Sequence, residues 1–182
     1  MSRNYKFHHP ENPYFVTFAT VNWIDVFTRT IYKEILLDSL KYCIAHKGLQ
    51  IYAWVIMSNH VHLIIKASNK PLNDILRDLK RHTSKALLTA IADNPQESRK
   101  DWLLWMFERA GKRNPNNESY QLWQQGNHPI ELYSNEVIDQ KLDYIHQNPV
   151  TAGWVDTPEH YLYSSARNYA GDKGLLDTAL MV

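Results

Sequence analysis

The segment Ser58-Asn59-His60-Val61-His62-Leu63-Ile64-Ile65-Lys66 constrains this chain more than any other stretch. Its β-branched and apolar residues read as a buried strand, and a strand sends successive side chains to opposite faces. His60 and His62 therefore share one face, while Val61, Leu63 and Ile65 occupy the other. Two neighbouring imidazoles on a largely apolar strand are costly to bury unless something satisfies them, and a divalent cation is a partner that satisfies both together. The competing reading has one histidine hydrogen-bonded within the protein and the other solvated at the sheet face.

The flanking segments supply the rest of a sheet. Tyr14 to Val21 is rich in aromatic and β-branched residues and reads as a first strand. From Ile31 to Lys47, Leu36, Leu40, Cys43 and Ile44 recur at helical spacing, and Gly48 supplies the stop. Ile51 to Met57 is a second strand, joined by the Ser58-Asn59 turn to the histidine strand in a hairpin. Pro71 opens a helix whose inner stripe is Leu72, Ile75, Leu76, Leu79, Ala86, Leu87 and Ile91. The order β, α, β, β, α is that of a ferredoxin-like or RRM-like α+β fold, an antiparallel sheet with helices on one face, which puts the histidines on the open face. A further helix is expected from Ser98 to Ala110, a loop over Gly111 to Asn117, a fourth strand over Tyr120 to Gln124, and a turn at Gly126-Asn127-His128-Pro129. The last helix runs from about Asn135 to Gln147 with Ile138, Leu142 and Ile145 inward, and Pro149 enforces its end.

Composition sets limits on function. The 182 residues, 44% of them hydrophobic, suit one domain with a real core. One cysteine, Cys43, excludes a disulfide framework and a cysteine-based zinc site and suits a reducing compartment, here the cytoplasm. The opening residues Met1 to Pro10 lack the apolar run of a signal peptide, and no stretch is long enough to span a membrane. The net charge of +1 places any nucleic-acid function on local patches. Arg77, Lys80, Arg81 and Lys85 form one such stripe at helical spacing, suited to phosphates, with Arg99, Lys100, Arg109, Lys112 and Arg113 following. The alternative is a solvated face in which Asp78, Asp101 and Glu108 are interspersed. Trp102, Trp105, Trp123 and Tyr120 are candidate platforms for stacked bases, and His128 and Glu131 fit turn and surface roles.

On the last helix Tyr144 and Asn148 lie four residues apart, hence on the same side and a turn from each other. Both fall a quarter to a third of a turn from the apolar stripe, so they flank the core. Each also has an ordinary role available, Tyr144 as an amphipathic boundary residue and Asn148 as the asparagine that ends a helix before proline.

Asn59-His60-Val61-His62, followed far downstream by Tyr144, Asn148-Pro149-Val150 and Gly153-Trp154-Val155, resembles the single-tyrosine, IS200-like transposases of the HUH superfamily, and more closely the REP-associated tyrosine transposases. Tyr161-Leu162-Tyr163-Ser164-Ser165 and Ala53-Trp54-Val55 also match family segments, so the resemblance runs from Tyr14 to about Tyr169. It implies an HUH endonuclease fold in a single domain over residues 1–182, with a core over about 14–169 and an unassigned tail from 170 to 182. It further implies His60, His62 and the Asn148 amide oxygen as ligands of Mg²⁺ or Mn²⁺, Tyr144 as nucleophile, single-stranded or hairpin DNA as partner, and a monomer or homodimer. Such neutral ligands leave the full cationic charge facing the scissile phosphate, and a nearby cation favours ionisation of a phenol that is roughly 0.1% ionised at neutral pH. The product would be a 5′-phosphotyrosine with a free 3′-OH, which stores the phosphodiester for rejoining. Many members are markedly basic, and this chain is not.

Two rival classes fit parts of the pattern. A domesticated, non-cleaving DNA-hairpin or RNA-binding module would keep the basic stripe and aromatics without needing the intact set of His60, His62, Tyr144 and Asn148. A metal-dependent hydrolase would recruit a further histidine such as His128 and leave Tyr144 dispensable. A relaxase or rolling-circle initiator is disfavoured because many carry a second tyrosine near the first, and this helix offers only Tyr144.

Overall fold

The histidine strand lies inside a four-stranded antiparallel sheet, described here from a computed structural model that covers residue 7 and residues 9–115 and 119–181. Most of the opening segment, Asn116 and Asn117 of the expected loop, and the final residue of the tail lie outside the described residues. Strand β1 is Tyr14–Ala19, β2 is Leu49–Ile56, β3 is His60–Ala67 and β4 is Ile130–Glu131, in the spatial order β2-β3-β1-β4. Register sets Thr17 and Val55 opposite His62, and Ala19 opposite His60. One face of the sheet thus carries Phe15, Thr17, His60, His62 and Ile64, and the other carries Val16, Phe18, Val61, Leu63 and Ile65.

The second face is covered by helices α1 (Thr30–Lys47) and α2 (Leu72–Asp93), with α3 (Lys100–Lys112) beside α2. Gly48 ends α1 in the left-handed region at φ 72°, as its position after the apolar stripe foretells. The α2 stripe is buried from Leu72 through Ile91, and Thr83, a polar residue in that row, is satisfied by the Trp123 indole N–H at 3.0 Å.

Three expectations are corrected. Tyr120 to Gln124 is not a strand: Leu122 and Trp123 drop into the core, Trp123 stacking on Phe27 and meeting Phe18 edge-on, and the backbone touches the end of β1 at a single bridge to Thr20. The fourth strand forms later, where Ile130 and Glu131 pair with Phe15 and Tyr14. The histidine face is also not open, because helix α4 (Asn135–Thr151) lies against it and brings Tyr144 over Phe15. Finally, α4 runs through Pro149. Proline there forfeits a single bond, the one its N–H would have donated to the Ile145 carbonyl, late in a helix of 17 residues. The chain then closes in a Schellman motif, Gly153 N–H to Val150 O at 2.8 Å and Trp154 N–H to Pro149 O at 3.0 Å, with Gly153 at φ 72°.

Edge strand β2 is protected by the segment Tyr161 to Ser165, which runs alongside it. The Ile56 N–H donates to Tyr163 O, the Ser165 N–H to Trp54 O and the Trp54 N–H to Ser165 Oγ. That serine also bonds His146 Nε2 of α4 at 2.8 Å, which ties the tyrosine helix to the sheet edge. Short helix α5 (Ala166–Tyr169) follows, and the Ala179 N–H donates to Ile51 O, so the tail continues along β2.

Candidate functional site

The β2–β3 hairpin fixes both imidazoles. The Asn59 amide N–H groups donate to Trp23 O at 3.2 Å and to Asp25 Oδ1 at 3.1 Å, two acceptors that leave Asn59 Oδ1 facing His60 Nδ1 at 2.7 Å. His60 therefore carries its proton on Nδ1 toward Asn59, and its Nε2 lone pair points away. His62 Nδ1 meets Thr17 Oγ1 at 2.7 Å, and its Nε2 is buried without a hydrogen-bond partner. Leaving such an atom unpaired costs about 1–3 kcal/mol. The rings are 4.8 Å apart between centroids.

Burial keeps both rings neutral. It pushes His62 down to about 3, helped by the facing His60 and by the Lys141 ammonium. Burial also lowers His60, a shift opposed by its hydrogen bond to the Asn148 side chain and by Asp25. Neutral imidazoles are the form that coordinates a cation. Among the described residues no three His, Cys, Asp or Glu side chains converge, and Asn148 is the side chain that reaches His60. A buried His62 Nε2 without a partner, the His60 Nε2 and the Asn148 amide beside it fit a divalent cation.

Helix α4 brings the tyrosine. Ile145, His146 and Pro149 are buried and Ile138 and Leu142 half-packed, which turns Tyr144 outward at 49% exposure. Its ring lies 5.1 Å from His62 and 6.0 Å from Phe15, and Lys141, three residues earlier, holds its ammonium 5.8 Å from the same ring. His60, His62, Tyr144 and Asn148 are therefore gathered at one place on the sheet.

The basic stripe is not. Helix α2 packs on the opposite face, so its outward side points away from the histidines. Lys80 of that stripe holds a loop: its half-buried ammonium donates to Gln124 O, Gly126 O and Asn127 Oδ1, and burial lowers it to about 8. Arg77 is held by Asp74 and Asp78, whereas Arg81 and Lys85 are exposed. Arg99 and Arg29 clamp the buried Glu97 carboxylate, Lys112 pairs with Glu108, and Trp123 is core. Glu131 bonds His9 and Asn12, in keeping with a surface role. Sequence reasoning missed Thr17, Phe15, Lys141 and Trp23. Thr17 had a signal, an inward polar residue in an aromatic strand, while Trp23 had none, because a turn brings it to His60 at 5.7 Å.

Comparison with known proteins adds a family. No curated protein matches the chain significantly. Among solved structures it is similar to a REP-associated tyrosine transposase bound to a REP hairpin, at TM-score 0.66 and 16% identity over 100% of this chain and 94% of that one. That likeness supports the α+β fold with its four-stranded antiparallel sheet. A putative transposase from Deinococcus radiodurans R1 is more distant, at TM-score 0.46 and 19% identity over 80% of this chain and 94% of that one. The family model for IS200-like transposases matches residues 12–107, which include β1 through α2 and the histidine pair. With that match spanning more than half of its length, the chain belongs to the IS200-like transposase family.

Proposed function

We propose that this protein cleaves and rejoins single-stranded DNA beside hairpins, as a tyrosine transposase of the REP-associated kind, with Tyr144 as nucleophile. The observation that carries the reading is the exposed Tyr144 ring 5.1 Å from His62, whose buried Nε2 has no partner. The hairpin in the complex of a structurally similar transposase supports the choice of DNA. In this reading residues 1–182 act as one domain, in the cytoplasm, as a monomer or homodimer.

Mg²⁺ or Mn²⁺ held by His60, His62 and Asn148 would supply Lewis-acid polarisation of the scissile phosphate. The chain's own residues do the rest. Asn59 and Thr17 orient the two imidazoles, burial keeps them unprotonated, and the Ser165 to His146 bond holds α4 at the sheet. The Tyr144 hydroxyl gives up its proton and its oxygen forms a bond to phosphorus while the bond from phosphorus to the 3′ oxygen breaks, and that oxygen takes up a proton to leave as a free 3′-OH, so the proton count is unchanged. Lys141, beside the ring, places a positive charge where the DNA backbone must approach. Arg81 and Lys85 offer two further phosphate contacts to a hairpin stem.

The test mixes protein with hairpin DNA labelled on either side of the cut and separates the products on denaturing gels. Label should stay with the protein only when it lies 3′ of the cut, and Tyr144→Phe should abolish the adduct while hairpin binding persists. An adduct formed by Tyr144→Phe refutes the assignment. Hairpin binding without any adduct in the wild type would leave the non-cleaving module.

A further inference from the structure

Trp23 stands at the mouth of a second cleft next to the histidines. The cleft has a volume of about 730 Å³, and its lining includes Asn22, Trp23, Arg109, Arg113, Gln124 and Gln125 and no acidic side chain. Trp23 is 56% exposed, with its ring 5.7 Å from His60. A tryptophan so exposed forfeits apolar burial, and its backbone is unusual too: Asn22 and Trp23 both sit at φ 54°, a region non-glycine residues rarely adopt. The turn is held by hydrogen bonds on every side. Thr20 N–H donates to Asn59 O, Val21 N–H to Leu122 O, Trp23 N–H to Thr20 O, and Asn59 Nδ2 to Trp23 O. The asparagine that orients His60 therefore also holds the backbone of Trp23.

Across the cleft, Arg109 and Arg113 are four residues apart, Arg109 in α3 and Arg113 capping its end. Both are exposed, and among the described residues neither makes an ion pair, in contrast to Arg77, Arg29 and Arg99, which bind carboxylates. Arg109, whose guanidinium also lies 5.1 Å from the Trp105 ring, and Arg113 line the same cleft as the exposed indole, and charge beside an aromatic face matches the two parts of a nucleotide, the phosphate and the base. The side-chain amide of Gln124 is already tied by its N–H to Thr20 O, which leaves its oxygen as an acceptor at the cleft wall.

We infer that this cleft seats the unpaired nucleotides that flank the scissile phosphate, with one base stacked on Trp23 and the backbone held by Arg109 and Arg113. The inference rests on the proposed DNA-cleaving function and says where the single-stranded flank runs: from the histidine face, past Trp23, toward the end of α3. Stacking on an indole tolerates any base, so the site contributes affinity and direction, and discrimination is left to the glutamine amides.

Fluorescence anisotropy with two DNAs tests it, a blunt hairpin and the same hairpin carrying a ten-nucleotide single-stranded extension. Trp23→Ala should weaken binding of the extended hairpin about tenfold, as expected for loss of one stacked base. The blunt hairpin should bind Trp23→Ala as well as it binds wild type. Trp23→Phe should recover most of the loss, and Arg109→Gln with Arg113→Gln should weaken the extended hairpin and flatten its salt dependence by about 1.4 in the log-log slope. Iodouracil placed in the extension should photocrosslink to Trp23. Equal effects on both DNAs, or affinities for the extension within twofold of wild type in both variants, would overturn the assignment. The Tyr144 adduct is read separately on gels: loss of extension binding in Trp23→Ala with no adduct in wild type refutes the cleavage reading and keeps the cleft.

Discussion

Replacing His62 with phenylalanine separates a ligand from a core residue. In the metal-free protein the substitution removes a buried Nε2 that has no partner, a gain of about 1–3 kcal/mol, and loses the Nδ1 bond to Thr17, a cost of about 1 kcal/mol. Thr17 is only half-buried, so its hydroxyl can turn to water. A phenyl ring also keeps the contacts at 5.3 Å with Phe15 and 5.1 Å with Tyr144. The net change should fall between neutral and about 2 kcal/mol in favour of the variant. Cation binding moves the other way. Mn²⁺ at a hundred times its dissociation constant stabilises the folded state by about 2.7 kcal/mol, which for a chain of this size raises Tm by roughly 5–11 °C. Calorimetry with EDTA and then with excess MnCl₂ should show that rise in the wild type and none in His62→Phe. A wild type indifferent to Mn²⁺, or a variant that keeps the full rise, refutes the ligand assignment. A metal-free variant destabilised by more than about 3 kcal/mol would show instead that the imidazole is a structural group.

Two other outcomes follow from the same geometry. Burial holds His146, bonded to Ser165 Oγ, down to about 4 against an ordinary 6.5, so the folded state binds fewer protons than the unfolded one. Its contribution is complete above pH 6.5 and is lost as pH falls toward 4, about 3 kcal/mol by pH 4. Urea unfolding of wild type and His146→Gln at pH 7, 5.5 and 4 should show their difference shrinking on acidification, and a constant difference contradicts the reasoning. Lys80→Met should destabilise by about 1–3 kcal/mol, because three oxygens lose their donor, without altering the salt dependence of DNA binding. Arg81→Ala with Lys85→Ala should do the reverse, leaving stability within about 0.5 kcal/mol and lowering the salt slope on a hairpin stem by about 1.8. A slope unchanged by that double variant removes α2 from the DNA interface.

Local pattern carries far in this chain. Period-two alternation in Ser58 to Lys66 was enough to put His60 and His62 on one face, because a strand's side-chain geometry does not depend on what surrounds it. The α2 stripe and the Gly48 stop were legible for the same reason: helical period and left-handed backbone are properties of the residues themselves. The angular offset of Tyr144 from its apolar stripe likewise foretold a side chain at the margin of the core.

What tertiary structure decided is where charges and backbone end up. Lys80 and Arg81 are adjacent and chemically alike in sequence, yet one faces three loop oxygens and the other faces water, since the loop at Gln124 to Asn127 comes from 44 to 47 residues away. Leu122 and Trp123 have strand composition, but both are buried in the core and the segment meets the end of β1 at one bridge. Pro149 stops a helix by local rules and does not stop α4, because Gly153 closes the turn behind it. The sequence alone determined the histidine pair and the marginal tyrosine, both consequences of secondary-structure period. Their meeting, 5.1 Å apart across 82 residues of chain, required α4 to settle on the sheet through His146 and Ser165, a contact that depends on the packing of three elements and has no local signature.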